Sequence, residues 1–446
     1  MIIAIASGKG GTGKTTVAVN LVLSLSSCVL ADCDVEEPNA NLFLGIPAEE
    51  KEDVTIPYPV VDASKCVLCS KCAKLCQYHA LAVLKDSVMV FKELCHGCGL
   101  CAMACPQDAI TEEERVIGTI SSGRADSLTF LEGLLNIGEA MATPIIKKLK
   151  EKAGNEGKII LDSPPGTSCP AVETISCADY CILVTEPTLF GLHDLGMALD
   201  LCNTLKVPCG VVVNRDGAGG EDIDGYCKER QVQILMRIPF ERKIAELYAK
   251  GVPFAKEMPE WREKFNELYE RIIEEKKDIE RIARRRSILD VSGIKGGTFL
   301  DVGAGPLGVI AAKEYNCIVT AIDTSAEKIE QVREAAAKAG VSIKFDLGDA
   351  SRMSYPDSSF DSVACLGTLH HVPLELRPLV VRECFRAAKD RCVIAEYTKK
   401  GFEKIHPDGA YLGVDLVWLE KEIASLGSAE KKRCGDLNVY VLRKKK

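Results

Sequence analysis

Eight cysteines stand in two runs of C-x-x-C-x-x-C-x-x-x-C: Cys66, Cys69, Cys72, Cys76 and Cys95, Cys98, Cys101, Cys105. At this spacing three thiolates of a run can wrap one iron–sulfur cube while the fourth reaches a second cube. Two runs therefore predict two interlocked 4Fe–4S clusters, one on Cys66, Cys69, Cys72 and Cys105, the other on Cys95, Cys98, Cys101 and Cys76. C-x-x-C pairs also suit tetrahedral zinc, but zinc knuckles do not call for the ending Cys105-Pro106.

The cysteines are embedded in segments that bind phosphate. An apolar strand, Ile2 to Ala6, runs straight into GKGGTGKT, from Gly8 to Thr15. In such a P-loop the glycines Gly8, Gly10, Gly11 and Gly13 let backbone N–H groups from Gly8 through Thr12 to Thr16 face phosphates. Lys14 adds a mobile positive charge, and the Thr15 hydroxyl can ligate Mg2+ at a helix start that already favours anions. An amphipathic helix is predicted over residues 16–25. Farther on, VLADCDVEEPN puts Asp32 and Asp34 at a strand end, and KIILDSPPGTSCP puts Asp162 at another, ahead of a loop around Gly166. Apolar runs at 181–185, 208–214 and 234–238, separated by helical patterns, suit a parallel sheet covered on both faces.

Together these segments resemble MinD/Mrp-type ATPases, of the class that includes ParA and the nitrogenase iron protein, over residues 1–255. The second P-loop lysine, Lys9, carries the likeness to the deviant Walker A form. The resemblance implies ATP and Mg2+ as ligands and an ATP-dependent homodimer in which Lys9 reaches the partner's nucleotide. It implies that Asp34 orients the attacking water, that Asp162 holds Mg2+ through a water, and that Asn214, Pro239 and Phe240 lie against adenine. Residues 58–114 resemble a bacterial-type two-cluster ferredoxin, with Gln77 where the first run usually has proline. Cys169 stands seven residues after Asp162, where the iron protein places a ligand of a dimer-bridging cluster. The other family ligand has no clear counterpart, so Cys169 reads as a buried or incidental thiol, with a bridging third cluster as the alternative.

Residues 256–286 turn charged, with Trp261, Phe265, Leu268, Ile272, Ile279 and Ile282 at helical spacing. This predicts a long amphipathic helix whose first part packs on the ATPase and whose Arg284-Arg285-Arg286 end is a solvated joint. Beyond it FLDVGAGPLGVIAA gives a strand ending in Asp301-x-Gly303-Ala304-Gly305 and opening into a helix. NAD, flavin and S-adenosylmethionine sites all use such a turn, because each brings backbone close to a ligand. CIVTAID ends in Asp323, placed before Thr324 to accept both ribose hydroxyls, and KFDLGDA presents Asp349 and Ala350. The segment SFDSVACLGTLHHVP gives a fourth strand ending at Leu366. Residues 287–446 resemble class I, UbiE-like S-adenosylmethionine-dependent methyltransferases. The resemblance implies that Asp301 and Gly303 line the methionine end, that Asp323 binds ribose, and that Asp349 and Ala350 lie against adenine. His370 and His371 are candidate bases or packing groups; methyl transfer needs mainly an aligned nucleophile.

The 446 residues allow two or three domains. The expected architecture is α/β throughout: a discontinuous ATPase at 1–57 and 115–255, a small α+β ferredoxin at 58–114, a helical linker at 256–286 and a Rossmann-like methyltransferase at 287–446. A net charge of −8 without a long basic stretch argues against nucleic acid as a partner. No apolar run approaches the roughly 18 residues that cross a bilayer. The many cysteines, with no export signal at MIIAIASGKG, point to a reducing cytoplasm and an oxygen-poor habitat. Two functions compete: ATP-gated electron transfer to an unidentified redox partner, and ATP-dependent delivery of clusters to an acceptor protein. A third makes the ATPase–ferredoxin half the reductive activator of the methyltransferase.

Overall fold

The computed structural model describes residues 1–406 and 409–444; Lys445 and Lys446 of the basic C-terminus lie outside the described residues. The chain divides into two units, Met1–Lys276 and Lys277–Lys446.

The first unit is built on a nine-stranded sheet in the order Ile234–Pro239, Cys209–Asp216, Tyr180–Thr185, Ile2–Ala6, Lys158–Asp162, Cys28–Asp32, Leu128–Leu135, Ile110–Ala125, Glu50–Val61. All neighbours pair in parallel until the last two strands, which are antiparallel. Successive side chains of a strand alternate between faces. Ile3 and Ile5 therefore join Leu30, Ile160 and Ile182 under the helix Lys14–Ser24 on one side. Ala4 and Ala6 join Cys181, Leu183 and Val211 under the helix Leu189–Leu205 on the other. A sheet buried on both faces needs unbroken apolar strands, which is why the short runs in the sequence were readable.

The two antiparallel strands do something the apolar pattern does not announce. Glu50–Val61 pairs with Ile110–Ala125 along its whole length, but only residues 118–125 also pair with Leu128–Leu135. Residues 55–61 and 110–117 thus leave the sheet as a two-stranded ribbon, starting at a bulge between Val54 and Thr55. The Asp62 N–H closes its far end on the Ala109 carbonyl at 2.8 Å. All eight clustered cysteines lie between those residues, with the helix Lys71–Leu75, the four-residue helix Leu100–Met103 and the hairpin Leu81–Val83/Val88–Val90. Residues 58–61 and 110–114, assigned above to the ferredoxin, are strands of this ribbon.

The second unit holds a seven-stranded sheet in the order Ile343–Leu347, Ile318–Asp323, Thr298–Val302, Phe360–Leu366, Ala388–Tyr397, Leu437–Arg443, Ala429–Cys434. Five strands are parallel; Leu437–Arg443 runs antiparallel to both its neighbours. This is a Rossmann-like α/β sheet with one reversed strand, and its carboxyl ends gather Asp301, Asp323 and Leu366.

One expectation fails. A single helix, Pro259–Ser292, carries the charged stretch without a break. Trp261, Phe265, Leu268 and Ile272 are buried in the first unit's core as anticipated. The triple arginine is not a solvated joint. Helical periodicity carries it on to Ile288 and Leu289, which are fully buried in the second unit, and this draws Arg285 into a site there.

Candidate nucleotide, cluster and methyl-donor sites

The P-loop joins the strand Ile2–Ala6 to the helix Lys14–Ser24. Gly13 has φ +94°, and a Cβ on it would lie 2.3 Å from Asn214 Nδ2; a Cβ on Gly8 would lie 2.0 Å from the Asp194 carbonyl oxygen. Glycine is required at both, by dihedral at one and by close approach at the other. Gly10 and Gly11 are exposed, and Thr12 is buried with its hydroxyl unpartnered. Lys14 is buried, and burial lowers its pKa against the opposing pull of Asp162, Asp34 and Asp32. Lys9 is half-buried and its ammonium forms no ion pair among the described residues.

Parallel register sets Asp32 opposite Asp162. Asp32 accepts the Asp34 N–H at 3.1 Å and the Asn39 and Ala40 N–H groups at 3.0 Å each, so it holds the loop that presents Asp34. Burial raises its carboxyl to about 6. Asp34 is also raised to about 6, by burial and then by Asp32, with Lys14 pulling the other way. Asp162 is 1% exposed and neither carboxylate oxygen has a hydrogen-bond partner. Burial and then Asp32 hold its pKa well above the usual carboxylate range, while the neighbouring Thr15 and Lys14 oppose. Ionising a carboxyl buried this deeply is favoured only when a cation is placed against it. Asp162 beside Thr15 therefore fits Mg2+.

Asn214 is brought to the P-loop rather than left facing open space: its Nδ2 donates to the Thr12 carbonyl at 2.8 Å, and its Oδ1 accepts the Arg215 N–H. Pro239 and Phe240 are exposed at the carboxyl end of the edge strand. Cys169 is not buried: it is exposed and opens the seven-residue helix Cys169–Ile175.

The cysteine runs fold into two equivalent loops. Leu68 and Ser70 in the first, and Gly97 and Gly99 in the second, all have positive φ. The second run meets this dihedral with glycine; the first places side chains there, at about 1 kcal/mol each. Gln77 does not spoil the turn: His79 and its counterpart Asp108 share the left-handed conformation, and the Ala80 and Ala109 N–H groups donate to Cys76 Sγ and Cys105 Sγ at 3.3 Å each. Cys66, Cys69, Cys72 and Cys105 line one small cavity; Cys76, Cys95, Cys98 and Cys101 line another. The fourth cysteine of each run crosses to the other run's cavity. Each cavity thus gathers four thiolates, three from one run and the fourth from the other, the donor set an iron–sulfur cluster takes.

In the second unit Asp301 is 1% exposed, accepts the Gly308 N–H at 2.9 Å, and is raised to about 7 by burial. Gly303 has φ +87° and a Cβ on it would sit 2.3 Å from Thr368 Oγ1; Ala304 is nearly buried and Gly305 is extended. Asp323 accepts the Ser325 N–H at 2.8 Å beside exposed Thr324. Asp349 accepts both the N–H and the hydroxyl of Ser351 at 2.8 Å, which lowers its pKa, with Ala350 half-buried next to it. Leu366 is half-buried at its strand end. Sequence reasoning missed Arg285. It lies close enough to Asp301 for their charges to interact, and its Nε has no partner. Only the unbroken helix could have signalled it.

The chain is similar to known proteins over both units. The CobQ/CobB/MinD/ParA nucleotide binding domain matches residues 3–254, and a methyltransferase domain matches residues 299–391. An uncharacterized protein of Methanocaldococcus jannaschii is 31% identical over 57% of this chain and 92% of its own. The iron-sulfur cluster carrier protein of Pyrococcus abyssi is 26% identical over 56% of this chain and 78% of its own. Among solved structures, the septum site-determining protein MinD of Pyrococcus horikoshii with Mg-ADP aligns over 61% of this chain and 95% of its own at 20% identity, with a TM-score of 0.39. With its first family match spanning more than half of its length, the chain belongs to the CobQ/CobB/MinD/ParA nucleotide-binding family, and its residues 299–391 match a methyltransferase domain.

Proposed function

We propose that this chain is an ATP-gated electron-transfer protein fused to a methyltransferase. One observation carries the gating: a continuous set of polar contacts from the Asp34 loop to the second cysteine loop. The Leu135 N–H donates to Val35, next to Asp34, at 2.8 Å. Leu135 leads into Asn136, whose N–H bonds to Ile117, and on to Glu139, whose N–H bonds to Asn136. The Glu139 carboxylate pairs with Arg115 on the ribbon, and Arg115 donates to the Cys95 carbonyl at 3.5 Å. A displacement of the Asp34 loop thus reaches the backbone of a cluster ligand, and hydrogen bonding and solvent near sulfur set a cluster's potential.

In this reading Gly8–Thr16 cradle the ATP phosphates, Lys14 and Asp162 with Thr15 hold charge and Mg2+, and Asp34 orients the attacking water. Asn214 couples the P-loop to the adenine side that Pro239 and Phe240 border. The unpaired Lys9 reaches across a homodimer. The two cysteine quartets hold 4Fe–4S clusters, which supply one-electron redox capacity. In the second unit Asp301 and Arg285 meet the ammonium and carboxylate of the methionine end of S-adenosylmethionine, with Gly303, Ala304 and Gly305 at the turn. Asp323 and Thr324 take the ribose, and Asp349, Ala350 and Leu366 flank the adenine. The setting is a reducing cytoplasm, with a soluble redox protein as partner; among the described residues no helix is long and apolar enough to cross a membrane.

The relatives named iron-sulfur cluster carrier proteins favour a second reading, in which clusters are cargo delivered to an apo-protein. One anaerobic experiment separates the two: cluster reduction and transfer to an apo-acceptor are followed with ATP, ADP and no nucleotide. Retained clusters with ATP-dependent redox behaviour support gating, and ATP-dependent departure supports the carrier reading. The double variant Arg115→Met/Glu139→Gln should keep ATP binding and cluster content but lose the ATP effect on reduction; an unchanged effect refutes the proposed route.

A further inference from the structure

We infer that His370, His371 and His406 form a binding site for a divalent transition metal, zinc by the character of its ligands, at the acceptor side of the methyltransferase unit. Each of the three offers one imidazole nitrogen, and the three atoms lie within 4.8 Å of one another. His370 Nε2 and His406 Nε2 are 3.2 Å apart. Two nitrogens bound at about 2.0–2.1 Å to a tetrahedral zinc lie about 3.3–3.4 Å apart, so this pair needs almost no rearrangement to share an ion.

The surroundings orient the donors. His370 is 4% exposed, and its other nitrogen, Nδ1, faces Glu396 Oε2 at 3.1 Å. That carboxylate places the ring proton on Nδ1 and leaves the Nε2 lone pair pointing at His406, the arrangement by which a second carboxylate shell fixes metal-binding histidines. Glu396 is itself buried and held by the Leu369 N–H at 2.8 Å. Tyr411 closes over the trio, with its ring 4.5 Å from His371 and 4.8 Å from His406. Both Glu396 and His406 lie beyond the residues matched by the methyltransferase family.

The position says what the metal is for. A Cβ on Gly367 would lie 3.7 Å from His370 Cε1, and one on Gly303 would lie 2.3 Å from Thr368 Oγ1, two residues before His370, so the trio borders the Gly303–Gly305 turn. On its other side His406, with Tyr397 and Phe402, lines an open cavity. Three protein ligands leave a fourth position for an acceptor thiol or hydroxyl. Bound there, the acceptor releases its proton to solvent. Its lone pair then forms the new bond to the methyl carbon as the donor's S–CH3 bond breaks, and that electron pair stays on the donor sulfur. This deepens the methyltransferase reading and rests on it.

The test uses the full chain with its cysteine sites filled by iron–sulfur reconstitution, stripped by chelator and reloaded with zinc chloride. Zinc content and zinc-edge X-ray absorption are read beside calorimetric S-adenosylmethionine binding. Wild type should hold one zinc per chain with nitrogen-only histidine scattering. His406→Ala, and the more exposed His371→Ala as a second variant, should lose it with donor affinity intact. Glu396→Gln should weaken zinc by about 10–100-fold. Equal zinc in wild type and both histidine variants, sulfur scattering, or no zinc in wild type overturns the site. Loss of donor binding in wild type would instead fail the methyltransferase reading.

Discussion

The crossing of the fourth cysteines can be tested by counting iron. Two cubes imply about eight irons per chain. Cys66 and Cys105 line the same cavity although they belong to different runs, while Cys66 and Cys76 belong to one run but line different cavities. The double variants Cys66→Ala/Cys105→Ala and Cys66→Ala/Cys76→Ala each remove two thiolates from half-buried positions, so general damage to the loops is matched between them. If each cube needs all four ligands, the first variant should keep about four irons and the second close to none. Sorting by sequence run predicts the opposite. The measurement is iron by elemental analysis after anaerobic reconstitution, with EPR of the reduced protein. The surviving cluster in the first variant should lose the magnetic interaction that two neighbouring reduced cubes produce. More iron in Cys66→Ala/Cys76→Ala than in Cys66→Ala/Cys105→Ala would refute the pairing, and stoichiometric zinc in place of iron would refute the cluster itself.

Three further expectations follow from the same geometry. Gly303→Ala combines a left-handed dihedral, about 1–2 kcal/mol, with overpacking against Thr368, about 1–3 kcal/mol; a loss of about 2–5 kcal/mol in the methyltransferase unit's urea transition is expected, partly restored by Thr368→Ala, and a change below about 0.5 kcal/mol contradicts it. Lys14→Ala should abolish ATP binding, whereas Lys9→Ala should keep ATP binding and lose ATP-dependent dimerisation in sedimentation; dimerisation by Lys9→Ala would remove the cross-subunit role. Asp301 has its folded pKa raised by burial from 3.8 to about 7, so the folded unit binds the proton more tightly than the unfolded chain. Its contribution is then fully present below about pH 4 and is lost as pH rises to about 7, by an amount on the order of 4 kcal/mol. Asp301→Asn should flatten that slope, and an identical slope in the variant would assign it elsewhere.

Much of the site was legible because its chemistry is local in sequence. The P-loop needs contiguous backbone N–H groups, so GKGGTGKT announces it within a few residues. Each cysteine quartet draws three of its members from one short run, so spacing alone points to it. Asp32, Asp162, Asp301 and Asp323 all sit at the carboxyl ends of parallel strands, where open α/β sheets place ligands, and apolar strands are visible as runs.

What distant segments decide together was not legible. Asn214 is held by Thr12, more than two hundred residues earlier, and no local pattern says which strand end will face which loop. The ribbon that lifts the cysteine loops off the sheet, and the Glu139–Arg115 contact at its base, depend on pairing register and not on composition. Arg285 looked like part of a solvated charged face, because helical periodicity shows which side of a helix is apolar but not where the helix ends. His370 and His371 were read as base or packing groups; their meeting with His406 and Glu396 exists only after the fifth strand and the following loop come together. Sequence by itself determined which short motifs can carry chemistry, since residue type and short spacing are covalent properties of the chain. Tertiary structure alone decided which charges are buried, which donors converge and what touches the switch, because those depend on burial and long-range packing.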